Sequence, residues 1–270
     1  MSWAELKFRF DWIPNPKGPT TVKKVAEYGF ANEKVIPFPH IESPASGGSD
    51  SYVPLHASAL GLGFKRIVDI VSSLFVIVFG LPFYTLIAVL IKLTSEGPVL
   101  FVQDRVGKDG RPFRFYKFRT MSVGNNDKDH RNFAKDFING DSKGHLDKGN
   151  GKRVFKITRD PRVTSIGRFL RRTSLDELPQ FINVFKGEMT LVGPRPPLGY
   201  EVPHYKDWHK KRLTVKPGLT GLWQVSGRST VPFDEMVRLD IKYIENWSFL
   251  LDLKIILRTI PVMLFGLGGY

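Results

Sequence analysis

The sequence predicts an α+β protein, a small mixed helix-and-strand domain held at a membrane by a hydrophobic segment and an amphipathic helix. Three observations predict it. Residues 70–91, IVSSLFVIVFGLPFYTLIAVLI, run for 22 positions without a charge. Residues 98–121 alternate apolar and polar side chains on either side of GKDGR, the pattern of a β-hairpin. Beyond residue 162 the spacing turns helical, first in VTSIGRFLRR and again after TSLDELPQ.

Composition narrows the partners. A formal charge of +14 over 270 residues favours polyanions: nucleic acid, anionic lipid surfaces or phosphorylated substrates. With no cysteine, disulfides, thiolate metal sites and cysteine nucleophiles are excluded. The first thirty residues lack the apolar core of a secretory signal. Residues 43–63, rich in Ser, Gly and Ala, read as a linker, so 1–63 forms an N-terminal extension with no assigned function.

The uncharged run would extend about 33 Å as a helix, against a hydrocarbon core of about 30 Å. A single spanning helix is the commoner outcome for such a run. Two features favour a hairpin that enters and leaves one leaflet. Gly80 and Pro82 lie in mid-segment, where proline removes a backbone donor. Both flanks are basic, with Lys65 and Arg66 before and Lys92, Arg105, Lys108 and Arg111 after, so the asymmetry that orients a span is small. Asp69, three residues after Arg66, is placed to pair with it on a helix. Toward the C-terminus, in 248–270, Lys254 and Arg258 share a helical face. Leu250, Leu253, Ile256, Leu257 and Ile260 cover much of the remainder. That is the pattern of an interfacial helix, and equally of a core helix of the polar domain.

The hairpin should turn at Lys108–Gly110. In its second strand Phe113, Phe115 and Phe118 alternate with Arg114, Tyr116, Lys117 and Arg119, a mixture suited to a nucleotide or to an ordinary solvated strand face. Residues 122–153 show little apolar periodicity and read as a long mobile loop. Asp160–Pro161 marks a turn.

From Lys152 to Arg172 there are eight Lys and Arg and one acid, and then Asp176 and Glu177 stand side by side. Either Ser174, with Glu177 three residues on, or Asp176, with Pro179 in the first turn, can cap a helix over 178–186 that Gly187 ends. Capping alone accounts for two acids there. The same geometry also suits phosphate chemistry. A helix N-terminus and upstream arginines attract phosphate, adjacent carboxylates can hold a hard divalent cation, and a carboxylate can attack phosphorus. VGPRPP (192–197) sets Arg195 between prolines, and KPGLTGLWQVSGRS (216–229) carries Trp223 and Arg228, which could wall a sugar or nucleotide pocket.

Taken together, FKRIVDI, GPVLFVQDRVGKDGRPFRFYKFRTM, DPRVTSIGRFLRRTSLDELPQFINVFKGEMTLVGPRP and KPGLTGLWQVSGR resemble the bacterial sugar transferases, the monotopic polyprenyl-phosphate phosphoglycosyl transferases, from about Phe64 to the C-terminus. The resemblance implies transfer of a phospho-sugar from a UDP-sugar to undecaprenyl phosphate, with release of UMP. It places the nucleophile at Asp176, with Glu177 beside it, both serving Mg2+. It makes Arg162, Arg168, Arg195, Lys117 and Arg119 candidates for phosphate contacts. It also implies a re-entrant helix-break-helix anchor over 64–93, broken at Pro82, and a catalytic domain over 94–270 with a C-terminal interfacial helix. The location implied is the cytoplasmic face of a bacterial inner membrane. Membrane lipid is a partner, nucleic acid is not beyond the nucleotide-sugar, and a homodimer is left open. One departure stands out: the family's break has Ser before Pro, where this chain has Leu81. A hexose is the expected sugar. The competing reading, a non-catalytic basic membrane-tethered protein that binds nucleic acid or lipid, gives paired acids no role.

Overall fold

A computed structural model describes residues 58–122, 128–142, 145–146, 153–155, 162–227 and 230–264. Residues 1–57 of the N-terminal extension, the Asp160–Pro161 turn, Arg228 and residues 265–270 lie outside them.

Helix α1 (Ala59–Thr94) starts within the stretch read as linker, where Ser58 caps it by accepting from Gly61 N at 3.0 Å. It is 36 residues long, with Pro82 in its interior, so the residues on both sides of the expected break are helical and the helix is assigned through it. Proline deletes only one donor of the ladder, and an apolar environment leaves the neighbouring amides no better partner than their own helix. The helix is long and apolar enough to cross a membrane. Its contacts divide it in three. Asp69 and Ser73 are buried near one end, Ile87 and Ile91 near the other. Between them no residue from Leu74 to Tyr84 is buried, and Phe75, Phe79 and Phe83 are exposed.

Strands β1 (Leu100–Val106) and β2 (Pro112–Phe118) pair antiparallel from Leu100↔Phe118 to Val106↔Pro112. The reversal falls at Lys108–Gly110 as read from the sequence, with Asp109 and Gly110 at positive φ. The alternation of β2 sends Phe113 and Phe115 into a core with Val184 and Met189. Phe118 joins Ile87, Ile91 and Leu170. Within the region read as a loop, α2 (Lys128–Ile138) forms instead and buries Ala134 and Ile138 against Phe233 and Val237. Its apolar set of Phe133, Ala134, Phe137 and Ile138 follows helical spacing, but lysines and aspartates surround it. Two short strands follow, β3 (His145–Leu146) and β4 (Arg153–Val154), paired antiparallel.

Helix α3 (Ser165–Thr173) is capped by Thr164, whose side chain accepts from Gly167 N. Gly167 is required because a Cβ there would lie 2.1 Å from Thr120 O. Then come α4 (Gln180–Lys186), β5 (Thr190–Val192), α5 (Asp207–Lys210), β6 (Gly218–Thr220), α6 (Leu222–Ser226), α7 (Phe233–Glu245) and α8 (Phe249–Leu264). β5 and β6 pair in parallel, so the described strands form three two-stranded sheets, an α+β arrangement without a large sheet. α8 buries Asp252 and Ile255 while Leu250, Leu253, Leu257 and Ile260 stay exposed. The apolar face read from its sequence is therefore turned outward along most of its length, and the exposed rings of Phe64 and Phe249 meet there at 5.0 Å.

Both ends of α1 dock on this polar body. Lys65 donates to Val192 O and pairs with Asp252. Arg66 donates to Val184 O and Phe185 O, and Asp69 accepts from Leu191 N. The expected Arg66–Asp69 pair is thus replaced by two docking contacts, since each finds an unpaired backbone group on the domain. At the other end Tyr84 packs on Phe118, and Arg119 Nη2 donates to Ser95 O at 2.8 Å.

Candidate active site

Ser174 ends α3 in the left-handed conformation, φ 56°, which is uncommon for a residue with a Cβ. The reversal drops Leu175 into the cluster of Leu170, Ile87 and Ile91 and leads straight into a 3-10 turn, Leu175–Glu177. Pro179, not Ser174 or Asp176, occupies the position before α4, and no side chain caps that helix. Both capping registers are therefore corrected: the carboxylates precede the helix rather than open it. Gly187 does end it, at φ 85°.

What holds the two acids is a pair of cations. Lys117 Nζ, from β2, lies 3.2 Å from Asp176 Oδ2 and 2.6 Å from Glu177 Oε1. Arg195 reaches Glu177 in a fork, Nη2 to Oε1 at 2.9 Å and Nη1 to Oε2 at 3.5 Å. Asp176 keeps only 6 % exposure, yet its Oδ1 accepts no hydrogen bond among the described residues. Burial opposes the charge on Glu177, but Arg195 and Lys117 outweigh it and hold its carboxyl well below the usual range. The site is thus a charged carboxylate pair with one acid fully committed and the other left with an open oxygen.

Backbone placement explains why Arg195 arrives here. β5 leads into Gly193-Pro194-Arg195, and Gly218 lets β6 approach so closely that a Cβ there would lie 2.0 Å from Gly193 N. Arg212, buried in the body, donates to the Arg195 carbonyl at 3.3 Å. It also bonds Tyr205 Oη and Asp240. Arg212 and Asp240 escaped the sequence reading. They are far apart along the chain, and KKR at 210–212 looks like a solvated run.

The remaining candidates are not gathered at the pair. Arg119 secures the end of α1. Arg168 is exposed and turns back on its own helix start, donating to Val163 O and Ser165 Oγ. Arg162 stands just before α3, where its carbonyl accepts from Ser122 N. Neither Asp176 nor Glu177 bonds any of the three among the described residues. Trp223 packs half-buried against the Phe233 core.

As metal donors, Asp176 and Glu177 suit Mg2+, which takes one or two carboxylates and completes its shell with substrate phosphates and water. The open Asp176 Oδ1 fits that use, although no group of three or more acidic, His or Cys side chains converges among the described residues.

Comparison with known proteins bears on the whole arrangement. Residues 60–266 match the family described as bacterial sugar transferase. The chain is 46 % identical over 209 residues to the galactosyl transferase CpsE of Streptococcus agalactiae serotype III, a match covering 76 % of this chain and 43 % of that protein. It is 40 % identical to the undecaprenyl-phosphate galactose phosphotransferase of Salmonella typhimurium, over 76 % of this chain and 41 % of that one. It is 37 % identical to the exopolysaccharide production protein ExoY of Rhizobium meliloti, over 83 % of this chain and 97 % of that one. The match thus spans less than half the length of the first two relatives and nearly all of the third.

Proposed function

The chain belongs to the bacterial sugar transferase family, and from that premise we propose that it moves a hexose 1-phosphate from a UDP-sugar to undecaprenyl phosphate, releasing UMP. This would be the membrane step that starts an exopolysaccharide, capsule, O-antigen or related glycoconjugate. The observation that carries the proposal is the buried Asp176–Glu177 pair held between Lys117 and Arg195, with Asp176 Oδ1 unbonded.

An oxygen of Asp176 attacks the β-phosphorus of the UDP-sugar, and the bond to the bridging oxygen breaks. UMP departs with that electron pair, leaving the sugar phosphate as an acyl phosphate on Asp176. A phosphate oxygen of undecaprenyl phosphate then attacks the same phosphorus, and the aspartyl carboxylate leaves. Lys117 and Arg195 supply positive charge beside the phosphates at both steps, and Arg195 is suited to bidentate contact. Glu177 fixes both cations. Mg2+ bound at the two acids would neutralise phosphate charge.

The expected result is repeated UMP release from a UDP-hexose that needs Mg2+ and a polyprenyl phosphate; with the acceptor withheld, a single equivalent of UMP is released and the phospho-sugar stays on Asp176. Release by Asp176→Asn at the wild-type rate would remove the nucleophile assignment. A panel of UDP-sugars names the hexose.

For topology, the reading is a monotopic protein on the cytoplasmic face of the inner membrane, with α1 bent at Pro82 so that it enters and leaves one leaflet. It is supported by the docking of both ends of α1 on one polar body and by the exposed apolar stretch between them. The chain has no cysteine, so a single cysteine at Ser51 can be probed cleanly. In intact cells it should be shielded from an impermeant thiol reagent. Labelling from outside would mean a spanning helix.

A further inference from the structure

A cavity of about 310 Å3 lies among the first turns of α1, β5, the segment before β6, and α7, and none of the four dyad-site side chains lines it. Its charged lining is one-sided: Lys65, Arg66, Lys108 and Lys216 against the single carboxylate Asp69. Four of these five are already committed, Lys65 to Asp252, Arg66 to the last carbonyls of α4, Lys108 to Asp109 at 3.7 Å, and Asp69 to Leu191 N. Lys216 is not. Among the described residues it donates no hydrogen bond and forms no ion pair. Burial, and after it the neighbouring Arg66, push its amine below the usual range, with Asp69 opposing and Lys108 adding to the repulsion.

Two further details point to a missing ligand. Arg66 and Lys216 converge, since a Cβ placed on Gly187 would lie 3.2 Å from Arg66 Nη2 and 3.4 Å from Lys216 Nζ. Thr190, 3 % exposed, lines the cavity, and its buried Oγ1 has no hydrogen-bond partner. A partly buried amine that is crowded by Arg66 and has no ion pair among the described residues, and a buried hydroxyl lacking a partner, are both satisfied by one oxyanion.

The rest of the wall decides which oxyanion. Leu62, Ile244 and Trp247 make much of it apolar, which free phosphate does not need and which suits the first carbons of a lipid's acyl chains. The cavity also sits where α1 changes character: Lys65 and Arg66 come just before the uncharged run, beside the exposed rings of Phe64 and Phe249. Basic and aromatic side chains at such a boundary lie at headgroup level. We propose that this cavity binds the phosphate of an anionic membrane lipid, with Lys216, Arg66 and the Thr190 hydroxyl donating to its oxygens, separately from the reacting dyad. Because Arg66 also holds the end of α4, an occupied cavity fastens α1 to the helix that follows the dyad. The proposal rests on the membrane placement of α1 given above. If α1 does not enter the membrane at all, the purified chain stays soluble without detergent.

The test is a melting titration of the full chain in uncharged detergent with short-chain phosphatidylglycerol, short-chain phosphatidylcholine or inorganic phosphate. Phosphatidylglycerol should raise the melting temperature saturably, phosphatidylcholine should not, and inorganic phosphate should need more than about ten times the concentration. Lys216→Met should weaken the phosphatidylglycerol response about tenfold, Lys216→Arg should restore it, and the isosteric Thr190→Val should weaken it several-fold. Asp176→Asn should respond like wild type. An equal response to phosphatidylcholine, or none lost in Lys216→Met, overturns the proposal. So does inorganic phosphate acting as strongly as the lipid, or loss of the response in Asp176→Asn, which would seat the ligand at the dyad.

Discussion

Lys117 and Arg195 meet Asp176 and Glu177 through side chains that keep between 8 and 27 % exposure, whereas Arg212 and Asp240 meet at 3 and 1 %. The sealed cluster also holds His209 against Asp234, with the imidazole wholly buried. Both clusters pair acids with cations in one chain, and one strand of contact links them, from Arg212 to the Arg195 carbonyl. The difference is whether partners can be exchanged. Asp240 Oδ1 also lacks a partner but is shut off from solvent, whereas at the dyad the open acid oxygen is not sealed and the cations can transfer to an incoming phosphate. In the sealed cluster every exchange would leave a buried charge bare, so its partners are fixed. Pairing an acid with a base therefore does not define a site, and access to the pair does.

The largest effect should separate the clusters most sharply. Asp176→Asn removes the attacking oxygen while keeping the shape, so turnover should fall by at least about 10^4-fold with little change in melting temperature. Arg212→Met is the mirror case. It leaves Asp240 buried and unpaired, which should destabilise the fold by about 3–5 kcal/mol in denaturant titrations. Replacing Asp240 by Leu as well should recover much of that loss. If Arg212→Met is as stable as wild type yet inactive, the sealed cluster belongs to the site and the contrast collapses.

Lys117→Met comes next. Its contacts with both acids should matter to charge developing on phosphate, giving a loss of about 10^2-fold in kcat/KM. Glu177 keeps Arg195, but the nearly buried Asp176 loses its partner, so stability should fall by about 1–3 kcal/mol, less than in Arg212→Met. A stability loss like that of Arg212→Met, with kcat/KM unchanged, would make Lys117 structural.

What the sequence disclosed follows the range of the interactions. The hairpin and its Lys108–Gly110 turn were legible because alternation and turn residues are local signals. Lys117 and the dyad were marked locally only as a basic residue in an aromatic alternation and two acids after a basic run, which an ordinary strand face and a helix cap explain equally, and their site roles came from the family resemblance. Arg168 and Arg119 were named on charge, but charge does not reveal a partner. One folds onto its own helix start and the other onto the end of α1. α2 was hidden by its lysines and aspartates, because only Phe133, Ala134, Phe137 and Ile138 carry its pattern. The Arg212–Asp240 and His209–Asp234 pairs join residues 28 and 25 apart, and nothing local marks them as buried.

The smallest effect concerns His209 and reads the sealed cluster through pH. Its Nδ1 accepts from Lys206 N at 3.1 Å, so Nε2 carries the proton toward Asp234. Burial pushes the imidazole down to about 4, with Asp234 opposing and Lys206 and Arg212 adding repulsion. In the unfolded chain it titrates near 6.5. As pH falls from about 6.5 to 4 the unfolded chain takes up a proton that the folded chain refuses, so stability present above that window is lost within it. His209→Gln should remove this contribution, and the difference between the stability curves of wild type and variant should approach about 1 kcal/mol per pH unit there. The titration should leave turnover per folded molecule unchanged, because the imidazole touches neither acid of the dyad. Parallel stability curves would mean that His209 is no more buried in energy than the dyad is, and the line between a sealed and an exchangeable cluster would have to be drawn elsewhere.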